Sequence, residues 1–252
     1  MRFKFGKNWK KYSKLITNER IKDASNSLKE FFEVENFDNK SFIDVGCGSG
    51  IFSISACLLG AKVKSFDFDT DSVECTQDLS KKILGKSISI EKGDILDSVY
   101  VKKLGEFDYV YSWGVLHHTG DLNSALKNID NLVKKNGKLF ISIYNNQGIK
   151  SELWKIIKII FNKVKILQPL LILFFFIFMK APEILFKFFA KRKEVRGMAP
   201  VTDLIDWLGG YPFETAKPEY IFDFFFKLNY SLVKLKTVSG KSGCNEFIFI
   251  KK

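Results

Sequence analysis

Between residues 41 and 143 the chain alternates five short β-rich runs, 41–45, 62–67, 87–91, 108–112 and 138–143, with longer stretches of helical periodicity. This alternation constrains the fold more than any other feature. Parallel neighbours in one sheet need a long crossover between them, and that crossover is almost always a helix. The pattern therefore predicts βαβ units and a parallel sheet. Between the last two runs Leu122, Ala125, Leu126, Ile129 and Val133 share one helical face, which predicts a helix over 121–133 that Asn136-Gly137 ends. Upstream, Ile21, Ala24, Leu28, Phe31 and Phe32 recur at helical spacing and predict an amphipathic helix that packs on the sheet or over its active edge. Downstream, Pro218 opens a helix through Lys227. Residues 231–238 and 245–250 then read as two strands around Ser239-Gly-Lys-Ser-Gly243, a closing antiparallel hairpin.

A chain of 252 residues that is 46% hydrophobic and 27% charged suits one domain with a full core, which excludes collagen-like, disordered and coiled-coil classes. Cys47, Cys57, Cys75 and Cys244 contain no C-x-x-C pair and read as reduced, intracellular thiols. The N-terminal residues are too charged for a secretory signal, so a cytoplasmic location is expected.

The net charge of +12 is unevenly spread: residues 150–196 hold 11 basic and 3 acidic groups, two-thirds of the whole excess. The same stretch is the most apolar. In it Lys155, Lys158, Asn162 and Lys165 form a polar stripe, opposite Leu153, Ile156, Ile157, Ile160, Phe161 and Val164; Pro169 interrupts the pattern. Its longest uncharged run, 166–179, is 14 residues, short of the ~20 a membrane span needs. An amphipathic cover on the core with solvated lysines is the expected form. The alternatives are contact of 150–193 with a membrane surface and a contact with a second copy of the chain.

The sharpest chemical signal is Phe42-Ile-Asp-Val-Gly-Cys-Gly-Ser-Gly50, a strand that runs into three glycines and then a helix. Glycines at 46, 48 and 50 let the backbone turn tightly and let a ligand lie against it at a helix N-terminus. The spacing G-x-G-x-G, with Ile51 where the dinucleotide fingerprint has its third glycine, disfavours a dehydrogenase. Asp67 ends the second run, where a carboxylate can accept both hydroxyls of a ribose. A nucleoside-bearing cofactor follows.

Five ordered stretches, Asp44-Val-Gly-Cys-Gly-Ser-Gly50, Phe66-Asp67-Phe68, Gly93-Asp94-Ile95-Leu96, the run 107–119 and Leu132-Val-Lys-Lys-Asn-Gly-Lys-Leu139, resemble the class I S-adenosylmethionine-dependent methyltransferases. The resemblance implies a Rossmann-like α/β fold with a seven-stranded, mostly parallel sheet, a C-terminal antiparallel hairpin and a helical insertion. It divides the chain into a helical flap (1–40), a cofactor-binding core (41–148), an amphipathic insertion (149–199) and a segment completing the sheet (200–252). It also implies that Gly46, Gly48 and Gly50 hold the methionyl end of S-adenosylmethionine, with Asp44 supporting the loop. Asp67 would bind the ribose, Phe68 would lie against the adenine, Asp94 and the backbone at Ile95 would read the adenine edge, and Ser112 and Trp113 would line the methionyl side. Asn136-Gly137 departs from the proline-glycine usual in the family, at a turn. The flanks 5–9, 143–148, 206–214 and 243–247 resemble a subgroup often compared with quinol O-methyltransferases.

Methyl transfer is an in-line displacement on an already activated methyl, so what remains is the acceptor's proton. A phenol-like hydroxyl, with pKa near ~10, needs a base more than a thiol does. The chain's two histidines, His117 and His118, follow the fourth strand at the carboxyl edge where such sheets bind ligands; either could be that base, with His117 slightly preferred. Trp9, Tyr144, Asn145, Trp207, Tyr211 and Glu214 are the candidates to contact the acceptor. No metal site is expected. The run Ser112-Trp-Gly-Val115 lacks the Asn/Asp-Pro-Pro-Tyr/Phe pattern of nucleic-acid amine methylation, so a small-molecule acceptor is expected, methylated at oxygen first and at thiol sulfur second. The remaining alternative is a noncatalytic, membrane-associated binder of S-adenosylmethionine.

Overall fold

The computed structural model of the chain describes residues 3–13, 15–182, 184, 186 and 200–252. Five parallel strands, β1 (Ser41–Val45), β2 (Lys62–Asp67), β3 (Ser89–Lys92), β4 (Phe107–Trp113) and β5 (Val133–Tyr144), alternate with α3 (Ile51–Leu58), α4 (Thr70–Leu84), α5 (Ser98–Leu104) and α6 (Leu122–Asp130). Strands β6 (Tyr230–Lys236) and β7 (Cys244–Lys251) extend the sheet antiparallel, in the order β3-β2-β1-β4-β5-β7-β6. This is the seven-stranded, mostly parallel sheet with a closing hairpin that the sequence predicts. Helices α1 (Gly6–Ser13) and α2 (Asn18–Phe32) precede it. After β5 come α7 (Ile149–Lys163), a 3₁₀ turn, α8 (Gln168–Phe175) and a π-helical turn (Phe176–Lys180), then α9 (Pro200–Gly209) and α10 (Pro218–Lys227).

Both sheet faces are covered, which is why the central strands read as near-continuous apolar runs. Ile43 and Val45 of β1, Val110 of β4 and Leu139 and Ile141 of β5 meet α6 and α10 through Leu126, Ile129, Ile221 and Phe225. On the other face Phe42, Tyr111 and Phe140 pack under Leu28, Phe31 and Phe32 of α2, and the Tyr111 and Phe140 rings stack 5.0 Å apart. Side-chain caps set the entry of most crossover helices: Asp69 caps α4, Asp97 caps α5 and Asp121 caps α6. Helix α3 differs. Its N-cap is Gly50, in the left-handed region at φ 80°, with no side-chain cap, so its first amides face the glycine loop.

Two local expectations fail. The helix expected over 121–133 stops at Asp130, and Asn136-Gly137 does not end it: Val133 pairs with Phe107 of β4 and Lys138 with Tyr109, so the residues between bulge within β5, with Asn136 at φ 62°. Tertiary pairing takes Val133 from the helix face into the sheet. Pro169 does mark an interruption: α7 ends at Lys163, the chain bends by 106°, and the proline lies in the first turn of α8, where its missing N–H costs nothing.

The larger correction concerns α7. Lys158, expected on a solvated stripe, is fully buried, and its Nζ donates to the Trp207 carbonyl while lying over the Trp207 and Phe213 rings. Asn162 donates to the Lys158 and Gly209 carbonyls. The helix is thus turned with those two polar groups inward. The last part of the expected insertion, 187–199, lies outside the described residues.

Burial holds the Lys158 ammonium down at about 7, from an ordinary 10.5. Below about 7 folded and unfolded chains bind this proton alike. Between there and 10.5 the unfolded chain binds one more, so stability rises with pH in that window. Measured by urea unfolding against Lys158→Met, so that other groups cancel, the wild-type protein is expected to gain about 3 kcal/mol between about pH 7 and pH 9.5. Parallel stability curves for the two proteins would show the amine to be solvated.

Candidate active site

The C-terminal ends of β1, β2 and β4 open into a cleft of about 900 Å³. Its floor is the expected glycine loop, tied to β2 by the Gly46 and Cys47 amides, which both donate to the Phe66 carbonyl at 2.8 and 3.2 Å. Gly46, Gly48 and Gly50 all have positive φ. A Cβ on Gly48 would lie 3.0 Å from the Trp9 indole, and one on Gly46 would lie 2.4 Å from Val115, so the loop admits no side chain there. Beneath it Asp44 is buried and accepts from the Ser53 hydroxyl at 2.5 Å, which pins β1 to α3. Burial pushes the Asp44 carboxyl up to about 7.

Asp67 ends β2 in the same cleft, where Oδ2 accepts from the Gly48 amide at 2.9 Å and Oδ1 from the Asp69 amide at 2.8 Å. A carboxylate offers about four lone pairs, more than these two amides take. Phe68, Asp94 and Ile95 line the same end. Asp94 accepts from the Leu96 amide at 3.0 Å, and the Ile95 carbonyl accepts from Asn128 at 2.8 Å. Trp113 also lines the cleft, its Nε1 donating to Glu246 at 3.2 Å. Ser112 does not. It is fully buried and donates to the Val45 carbonyl, cross-linking β4 to β1.

The two histidines part company. His118 lines the cleft, and its Nδ1 lies 2.7 Å from the Pro212 carbonyl. A carbonyl only accepts, so Nδ1 carries the proton and Nε2 is the basic nitrogen. His117 has the opposite tautomer: its Nδ1 accepts from the Tyr144 amide at 3.3 Å, so its proton sits on Nε2, which is buried without a partner. It is fully buried and does not line the cleft, and burial drives its pKa well below the ordinary value. The slight preference for His117 as base is therefore reversed.

Of the six acceptor candidates, Trp9, Tyr144 and Trp207 line the cleft. The Trp207 indole N–H is buried with no partner among the described residues. Asn145, Tyr211 and Glu214 lie outside it, in structural roles. Asn145 accepts from Asn245 and donates to the Lys241 carbonyl, tying β5 to the hairpin. Glu214 accepts from the Gly120 and Leu122 amides at the start of α6. The Tyr211 carbonyl accepts from Phe3.

Among the lining residues not singled out from the sequence, three stand next to the candidates. Phe5 stands 5.1 Å from the His118 ring, and Glu246 partners Trp113; both lie in stretches already noted for resemblance, without a chemical pattern that marks them. Asp206, half-buried, accepts from Asn8 of α1 at 2.6 Å, and burial pushes its carboxyl up to about 7. The other side of α1 is held to α4: the Gly6 amide donates to Asp69 at 3.0 Å, and Lys10 pairs with Asp71 and Glu74 at 2.7 and 2.8 Å. Among the described residues no cluster of three or more His, Cys, Asp or Glu could hold a metal ion.

A family profile described as a methyltransferase domain matches residues 36–172. Ubiquinone biosynthesis O-methyltransferase of Pelagibacter ubique is 27% identical over 142 residues, 55% of this chain and 57% of that protein. The protein of the same description from Colwellia psychrerythraea is 34% identical over 131 residues, 50% of this chain and 52% of its own length. The chain thus spans about half the length of these curated relatives. Among solved structures, magnesium protoporphyrin IX methyltransferase from Synechocystis PCC 6803 with bound SAH superposes with a TM-score of 0.56 at 13% identity, covering 92% of this chain and 83% of the other.

Proposed function

From the premise that the chain belongs to the methyltransferase-domain family, we propose that it transfers a methyl group from S-adenosylmethionine to a hydroxyl oxygen of a small, phenol- or quinol-like acceptor. One observation carries the reading. A loop whose glycines at 46 and 48 admit no side chain and the Asp67 carboxylate share a cleft with a histidine whose basic nitrogen is set by its neighbours. The descriptions of the Pelagibacter and Colwellia relatives supply the acceptor class.

The residues fit the donor. The loop and the uncapped start of α3 would hold its methionyl end, Asp67 its ribose, and Phe68, Asp94 and Ile95 its adenine. When bound, the sulfonium supplies an activated methyl. The chain's own residues do the rest. Phe5, Tyr144 and Trp207 exclude water and hold an aromatic ring against the donor end of the cleft. His118 Nε2 takes the acceptor's hydroxyl proton as the oxygen attacks, with the Pro212 carbonyl fixing Nδ1–H. The unpartnered Trp207 N–H donates to a second acceptor oxygen. On this reading the chain acts in the cytoplasm, its partner is a small molecule with no nucleic acid engaged, and its helical segment contacts a membrane.

Calorimetry and methyl-labelling test the proposal together. The donor and its demethylated product are expected to bind at roughly micromolar Kd, and label is expected in a dihydroxylated aromatic and not in a matched thiol. Absence of donor binding by folded protein would remove the reading. Label in the thiol alone would move the acceptor atom to sulfur.

A further inference from the structure

Helix α9 ends in Gly209-Gly210, and neighbours approach both glycines closely. A Cβ on Gly209 would lie 2.2 Å from the Phe3 ring, and one on Gly210 would lie 2.9 Å from the His118 imidazole. Paired glycines are costly to order, and the last carbonyls of a helix have no partner inside it. The turn that carries Pro212 therefore takes its shape from outside. Downstream it is moored by Glu214, whose amide donates to the His117 carbonyl at 3.0 Å and whose carboxylate accepts from the Gly120 and Leu122 amides. Midway, the Tyr211 carbonyl accepts from Phe3. Upstream the mooring comes from α7. Lys158 donates to the Trp207 carbonyl, and Asn162, one turn on, donates to the Gly209 carbonyl at 2.8 Å. Lys158 also lies 4.8 Å from the centre of the Phe213 ring, so it grips the turn on both sides of Pro212.

Resting on the methyltransferase reading with His118 as its base, we propose that Lys158 and Asn162 are positioning residues for the reaction: they hold the end of α9 so that the Pro212 carbonyl keeps the proton on His118 Nδ1 and leaves Nε2 open to the acceptor's hydroxyl. Apolar residues would close the contact between α7 and α9 at less cost than a buried amine. What the polar pair adds is direction, because hydrogen bonds fix where carbonyls point. Neither residue lines the cleft, so the influence passes through the backbone of 207–212. Which nitrogen of a histidine carries the proton is set by the hydrogen bond that the other makes. A turn released from α7 lets the Pro212 carbonyl drift, and His118 then populates the tautomer protonated at Nε2, which cannot take the acceptor's proton.

Lys158→Met and Asn162→Ala, with the exposed Lys155→Met as control, test this by two readouts. The first is kcat with a hydroxyl acceptor, expected to fall about 10- to 100-fold in each of the first two variants while donor affinity, read by calorimetry, stays within about threefold. The second needs no turnover. The chain has two histidines, so nitrogen-15 imidazole spectra at about pH 8.5, where both rings are neutral, report each tautomer, and His118→Ala assigns them. Wild type and Lys155→Met are expected to show His118 protonated at Nδ1, and the two variants a mixture of tautomers, with His117 unchanged because the Tyr144 amide holds it. Lys158→Met puts an apolar chain of similar size in place of a buried amine, so its fold is expected to persist, and Asn162→Ala tests the same mooring independently. Wild-type kcat in both variants, a lowered kcat with the His118 tautomer unmoved, or equal losses in Lys155→Met would each overturn the proposal. A tautomer that shifts as expected in a protein that methylates no hydroxyl would instead count against the methyltransferase reading.

Discussion

Conversion of His118 to alanine is expected to lower kcat by about 100- to 10,000-fold with a hydroxyl acceptor, with donor affinity unchanged. The size follows from the proton transfer required. A phenolic proton near pKa ~10 must leave as the oxygen attacks, and His118 is the histidine at the cleft wall with its basic nitrogen defined. His117→Ala should behave differently. That ring is fully buried and receives the Tyr144 amide, so its loss leaves a cavity and an orphaned N–H, costing about 1–3 kcal/mol of stability from the hydrogen bond alone. Stopped-assay kinetics on both variants, with thermal unfolding alongside, separate the two roles. Equal kcat for His118→Ala and wild type would eliminate His118 as base.

Replacement of Asp67 by alanine is expected to weaken donor binding by about 30- to 1,000-fold. The carboxylate holds the Gly48 and Asp69 amides in place at 2.9 and 2.8 Å while facing the cleft, so its removal loosens the loop and removes the ribose acceptors together. Hydrogen bonds to a charged group contribute about 1.5–3 kcal/mol each; a net loss of about 2–4 kcal/mol for the ribose pair, part of the two-bond total being regained from water, sets the range. Asp67→Asn, which keeps one oxygen, should fall between. Calorimetric titration with the demethylated product reads this directly, and a change under about threefold for the alanine variant would place the ribose elsewhere.

The sheet was legible because its determinants are local and redundant. The runs 41–45 and 62–67 match β1 and β2 residue for residue, and Gly46, Gly48 and Asp67 combine a rare spacing with a place at strand ends. What the sequence left open depends on contacts between distant segments. Val133 fits a helical face, yet it enters β5 because Phe107 of β4 offers it a partner. The adjacent histidines differ only in what surrounds them: the 210–214 loop brings the Pro212 carbonyl to His118, and Gly210 is what lets it come close, since a Cβ there would lie 2.9 Å from the imidazole. Helical spacing placed Lys155, Lys158, Asn162 and Lys165 on one face of α7, but the structure divides that face: Trp207 and Phe213, about fifty residues away, take Lys158 inward while Lys155 and Lys165 stay exposed. Asn145 and Glu214 sit beside cleft residues in the chain but turn to Asn245, the Lys241 carbonyl and the Gly120 and Leu122 amides, a choice that spacing does not encode.

Helix α1 bridges the two banks of the cleft, and its fastenings are unequal. The Trp9 indole lies over Gly48, 3.0 Å from where a Cβ there would stand. At one bank the fastening is ionic and open to solvent, through Lys10, Asp71 and Glu74; at the other it is the half-buried hydrogen bond from Asn8 to Asp206. Dissolved ions weaken the first and spare the second. Rising ionic strength should therefore loosen α1 at its Asp71 and Glu74 end before its Asp206 end.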